Sequence, residues 1–289
     1  MNYANPGYLI EPAELAARLD QPDVRVFDAT VFLVPAATGY RAESGLERYR
    51  ESHIQGAAFM DLVRDFSDTT SGLGFTLPGP AALGRAIGAA GIGEDHTVVV
   101  YSSGHLMWAT RAFWLLHHAG HERVRVLNGG FAAWQAAEYP VRSGVEAYPP
   151  AVFEPRIRRG VFTDLAGMRE AIGDTSVCTI NALSPEVYAG TGAMHYGRRG
   201  HIPGSRNLHY DQLLEDQRFA APEEVHRILR DAGLLDAPRV IAYCGGGISA
   251  TIDAFACLLM GHPDVAVYDG SMSEWVRDPD LPLKLGESP

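Results

Sequence analysis

The chain has 289 residues, 46% hydrophobic and 20% charged, which is the balance of a soluble globular protein long enough for two domains. A net charge of −11 at pH 7 argues against a nucleic-acid partner, and no run of about 18 apolar residues offers a membrane span. Three cysteines without CxxC spacing make no disulfide framework, and eleven histidines form no zinc constellation, so no metal and no organic cofactor is expected.

In chain order, residues 11–19 read as a helix starting near Pro12, and 24–29 as a short buried strand ending at Asp28. The turn His53-Ile54-Gln55-Gly56-Ala57 leads into residues 58–60. Residues 66–80, dense in Ser, Thr, Gly and Pro, read as a loop. A helix is predicted over 81–90, stopped by Gly91. The run 98–101 is a strand of the fully buried kind. A helix over 107–118 stops at Gly120, and a strand over 124–127 closes on Asn128-Gly129-Gly130 before Trp134. Strands alternating with helices predict a parallel sheet covered on both faces.

The order then repeats. Asn181 answers Asp28, His201-Ile202-Pro203-Gly204 answers His53-Ile54-Gln55-Gly56, and Tyr243-Cys244 answers Tyr101-Ser102. Gly261-His262 answers Gly120-His121, and Asp269 to Trp275 answers Asn128 to Trp134. The offset drifts from 153 (181 less 28) to 141 (269 less 128) without breaking order, the mark of a tandem domain. The expected division is a first domain over 1–142, a linker over 143–160 and a second domain over 161–289.

The copies differ chemically at one point: Ser102 in the first stands where Cys244 stands in the second. Around Cys244 the run 240–243 reads as a buried strand, Gly245-Gly246-Gly247 as a turn, and Ile248-Ser249 as the start of a helix. Glycines let successive backbone N–H groups converge with the positive end of a helix behind them, and such a bowl favours a thiolate and binds anions. Gly245, Gly246, Gly247, Ile248 and Ser249 are the candidate amides, and Cys244 is the candidate nucleophile. A cysteine-dependent phosphatase would need an arginine six residues on, where Ala250 stands. A redox dithiol would need a second loop cysteine. Cys257 instead lies on an apolar helical run, where it reads as a small core residue, as does Cys178 on its strand.

In these motifs and their order the chain resembles the tandem-domain rhodanese family of thiosulfate and 3-mercaptopyruvate sulfurtransferases, over essentially its whole length. The resemblance implies two α/β rhodanese-like domains, each a parallel sheet flanked by helices on both faces, with the site at their interface. It implies sulfane sulfur carried as a Cys244 persulfide from a small donor, thiosulfate first and 3-mercaptopyruvate as the alternative, to a thiophilic acceptor such as cyanide or a thiol. A persulfide carrier that serves a protein acceptor is the rival expectation. The N-terminus shows neither a basic nor an apolar leader segment, so a cytoplasmic location is expected.

The chain departs from the family pattern on the donor side. Gly246 stands where thiosulfate enzymes place a basic residue and mercaptopyruvate enzymes a serine. Leu183 and Val187 stand at the family's two substrate arginines, and Phe75 where mercaptopyruvate enzymes carry a histidine. Arg198 and Arg199 are the candidate replacements for the lost cations. Asp28, Asn181, His53, His201, Trp134 and Trp275 read as turn anchors and packing residues.

Overall fold

The computed structural model describes residues 1–35 and 40–289. Two five-stranded sheets organise it, and every pairing within them is parallel. The first has the spatial order Leu9–Ile10, Val124–Leu127, Thr97–Tyr101, Val24–Asp28, Ala58–Phe59. The second runs Phe162–Thr163, Val265–Tyr268, Arg239–Tyr243, Val177–Asn181, Arg206–Asn207. The predicted two-domain α/β architecture is therefore present.

Side-chain alternation explains why both sheets are buried on two faces. Val98 and Val100 join one apolar cluster while Val99 and Tyr101 join another. In the second sheet Val240 and Ala242 join the first cluster, and Ile241 and Tyr243 a third. A strand with apolar neighbours on both sides has no polar face to show, hence the unbroken Val-Val-Val-Tyr and Val-Ile-Ala-Tyr runs.

The repeat extends to register and anchoring. Asp28 pairs with Tyr101, and Asn181 with Tyr243. His53 Nδ1 meets the Tyr49 carbonyl at 2.8 Å and His201 Nδ1 the Tyr188 carbonyl at 2.9 Å, each ring stacked on its tyrosine. The indole of Trp134 donates to the Pro140 carbonyl and that of Trp275 to the Pro282 carbonyl, both at 3.0 Å.

The structure differs from expectation at three places. The first helix covers only Pro12–Ala16. The turn at 53–57 contains a strand, His53–Ile54, paired antiparallel with Val141–Arg142. An antiparallel hairpin, Val31–Pro35 with Tyr40–Ser44, was not foreseen. Phe32, Leu33 and Tyr40 are exposed on it, so the one-sided burial that creates alternation is missing. Residues 143–160 form no helix or strand; the Ala151, Arg156 and Arg158 N–H groups bond to the Gly88, Ala119 and His118 carbonyls of the first domain.

The two domains meet along the helices Met107–His118 and Ala250–Leu259. Phe113 and Phe255 pack edge to face at 4.7 Å, and the hydroxyls of Thr110 and Thr251 lie 2.7 Å apart. Eleven of the twelve residues of the first helix are buried. Each helix thus packs on its own sheet and on the other helix, which joins the two halves in one core.

Candidate active site

The strand Arg239–Tyr243 delivers Cys244 to the floor of a cleft of about 660 Å³ at the domain interface. Cys244 is 2% exposed. Its N–H donates to Ser271 Oγ at 3.1 Å, and its carbonyl accepts the Met272 N–H at 3.0 Å. The Gly245 carbonyl is held by Ser273 twice, through N–H at 2.8 Å and Oγ at 2.7 Å. The segment 271–273 thereby clamps the start of the loop and leaves its amides free.

Gly245, Gly246, Ile248 and Ser249 line the cleft with Cys244, whereas Gly247 lies behind it. Among the described residues, the N–H groups of positions 245 to 249 find no backbone or side-chain acceptor, and no side chain caps the helix Ala250–Leu259. Unpaired amides at a helix start form a receptor for negative charge. Gly247 has φ +73°, and a Cβ there would lie 2.5 Å from the Asp269 carbonyl oxygen, so only glycine fits. Its carbonyl accepts Arg111 Nη1 at 3.2 Å.

The corresponding loop of the first domain is closed. The Ser103 N–H donates to Thr30 Oγ1, Gly104 to Ser102 Oγ, Leu106 to Gln217 Oε1 and Met107 to His105 Nδ1, at 2.7 to 3.1 Å. His105 Nε2 faces Asp211 at 3.0 Å and Ser103 donates to Asp28, so no Ser–His pair forms.

Arg111, from the first domain, braces the second-domain loop. It is 1% exposed, pairs with Asp269 at 2.8 Å, and donates to the carbonyls of Gly247 and Phe75. Asp269 Oδ2 in turn accepts the Leu77 N–H at 2.7 Å. This ties the 66–80 loop to the site and holds Phe75, at φ 63°, with its ring 5.1 Å from that of Trp108.

The cleft walls are Tyr40, Phe75 and Trp108 from the first domain, and Met194, Tyr196 and Ile248 from the second. Tyr196 packs so closely on Gly245 that a Cβ there would lie 2.0 Å from its phenol oxygen. Burial, with the nearby Cys244 sulfur, holds that phenol above its ordinary pKa, so it is neutral at working pH. Asp253, in the first turn of the helix after the loop, is fully buried, and neither of its oxygens has a hydrogen-bond partner among the described residues. Burial first, and then Cys244, pushes its carboxyl well above the usual range.

Of the sequence candidates, the structure brings Gly245, Gly246, Ile248 and Ser249 into the cleft with Cys244 and leaves Gly247 behind it. It does not bring Arg198 or Arg199 into the cleft. Arg198 Nη1 donates to the Asp278 and Leu281 carbonyls, and Arg199 to those of Gly190 and Gly192. Leu183 packs against the core, and neither it nor Val187 lines the cleft. Sequence reasoning missed Arg111, Tyr196 and Asp253. A lone charge in each apolar helix signals Arg111 and Asp253; Tyr196 has no local signal.

The rhodanese-like domain family matches residues 11–137 and 172–278. The chain is 35% identical over 288 residues to the probable 3-mercaptopyruvate sulfurtransferase of Pseudomonas aeruginosa, covering 96% of this chain and 98% of that one. It is 34% identical over 275 residues to the thiosulfate sulfurtransferase of Rattus norvegicus, covering 92% and 90%. The crystal structure of SseA from Escherichia coli, described as a 3-mercaptopyruvate sulfotransferase, superposes with a TM-score of 0.80 at 28% identity, covering 91% and 98%.

Proposed function

This chain belongs to the rhodanese family, and from that premise we propose that it is a sulfurtransferase working by double displacement through a persulfide on Cys244. The observation that carries the proposal is a cysteine on the floor of an open cleft, followed by five consecutive unpaired amides. The Cys244 thiolate attacks the outer sulfur of the donor. With thiosulfate the S–S bond breaks, sulfite leaves with the electron pair, and sulfur remains on Cys244 as a persulfide anion. The amides hold that charge. A thiophilic acceptor then attacks the terminal sulfur; cyanide leaves as thiocyanate and the thiolate is restored. No step needs a metal or an external electron carrier.

Thiosulfate and 3-mercaptopyruvate, the donors in the relatives' names, are the first to assay. The expected outcome is saturable turnover and a gain of one sulfur atom on the intact chain, removed by cyanide. Cys244→Ala should abolish both; survival of either overturns the mechanism.

The missing cationic rim favours a second reading, a persulfide carrier that hands sulfur to a protein acceptor. One sulfur per chain without turnover on small acceptors would select it. Among the described residues no helix is long and apolar enough to cross a membrane. Cys178, Cys244 and Cys257 are all free thiols, and a reducing setting, the cytoplasm, is the compartment we propose on that ground.

A further inference from the structure

We propose that the donor this cleft selects carries its sulfane sulfur on an apolar, aromatic organic body. This rests on the Cys244 persulfide mechanism and specifies its substrate class.

Charge is the first ground. Among the described residues lining the cleft there is no Arg, Lys, Asp or Glu; His195, exposed at the rim, is the one basic side chain. The nearby arginines are already engaged: Arg198 by the Asp278 and Leu281 carbonyls, Arg199 by those of Gly190 and Gly192, Arg41 by Glu43, and Arg111 by Asp269 behind Gly247. The 245–249 amides supply partial positive charge for one anionic sulfur. A dianion such as thiosulfate would have to give up water around its sulfonate end and find no cation there.

Shape and surface are the second ground. A cleft of about 660 Å³ is of the size that encloses an organic molecule, well beyond an ion of five heavy atoms. Four aromatic side chains, Tyr40, Phe75, Trp108 and Tyr196, stand around it. The Phe75 and Trp108 rings lie 5.1 Å apart at 48°, presenting edges and faces to a third ring. Leu33 and Tyr40 hang over the mouth on the hairpin, 43% and 54% exposed, apolar surface that a bound ring would cover.

Thiosulfonate anions isolate the body from the reacting group. The Cys244 thiolate attacks the terminal sulfur of R–SO2–S⁻, the S–S bond breaks, and the sulfinate R–SO2⁻ leaves with the electron pair. The products are the Cys244 persulfide anion and one sulfinate, with no oxidant or reductant consumed.

The test compares kcat/KM for thiosulfate, methanethiosulfonate and benzenethiosulfonate, with cyanide as acceptor and thiocyanate as readout. Benzenethiosulfonate is expected to exceed methanethiosulfonate by about tenfold or more, and methanethiosulfonate to exceed thiosulfate. Tyr40→Ala, at an exposed position, should narrow the benzene-to-methane ratio by several fold. Met194→Arg should raise thiosulfate relative to both. Equal rates for the two thiosulfonates, or thiosulfate best of the three, overturns the proposal. Failure of the persulfide mechanism would look different: no donor would add sulfur to the intact chain.

Discussion

Gly245 sits where no side chain fits, because the phenol of Tyr196 occupies the space a Cβ would take. Gly245→Ala should displace the tyrosine and the Cys244 amide together and lower persulfide formation by about a hundredfold, the scale of an ångström's misplacement at a reacting centre. Stopped-flow loading with a thiosulfonate measures it, and a near-normal rate would mean that the Tyr196 contact is dispensable. Asp253 sets a second expectation. Burial raises its folded pKa, so the neutral acid's share of stability is fully present below the unfolded carboxyl range, about 4, and is lost as pH rises through the folded value. His117 runs the other way: burial lowers it to about 4, so its share is present above about 6.5 and lost as pH falls toward that value. Asp253→Asn removes only the first effect, so its Tm gain should be larger at pH 8 than at pH 5; equal shifts at both pH values would refute the assignment. Cys244 and its glycines were legible in the sequence because strand, thiol and turn are consecutive there. Tyr196 was not, since it reaches the loop from 48 residues away (244 less 196) across a connection without periodicity.

The helix Met107–His118 joins the two halves of the site, and its one internal arginine is the joint. Removing one member of a buried ion pair strands the other, at a cost of about 3–5 kcal/mol. Arg111→Met should show that loss in denaturant unfolding and also slow sulfur loading, because the Gly247 and Phe75 carbonyls lose their shared donor. Arg111→Lys should recover little, since one ammonium cannot reproduce a planar fork that serves three acceptors. Unchanged stability in Arg111→Met would remove the brace from the account. The extent of this helix was legible from its apolar run and its Gly120 stop. The hairpin of Val31–Pro35 with Tyr40–Ser44 was not: Val31 and Ala42 reach the core, but Phe32, Leu33 and Tyr40 face outward, so its strands are held by pairing with each other and carry no alternation.

At the scale of the molecule, the duplication was legible from five ordered landmarks, and paired anchors such as Trp134–Pro140 and Trp275–Pro282 explain why those residues recur. Which half lends what to the site was not legible, because that depends on docking. The first domain gives Tyr40, Phe75 and Trp108 to the cleft and Arg111 to its brace. A fragment spanning 143–289, cut at the proposed linker, should therefore expose one face of the Ala250–Leu259 helix, precipitate or self-associate, and fail to load sulfur at the whole chain's rate. Size-exclusion chromatography and intact mass check it; a monomeric fragment that loads normally would make the first domain dispensable.

The closed loop of the first domain carries a lesson about inheritance. Thr30, Ser102, His105 and Gln217 occupy its amides as an anion would, so that loop is stable with nothing bound. Exchanging Ser102 for cysteine would place a nucleophile in a receptor whose seats are taken. Arming that copy would mean emptying the seats first, and the emptied loop would then lack the contacts that hold it. The difference between the twins is thus written into several side chains, so a single substitution does not erase it, and the silent copy serves as a wall for the other.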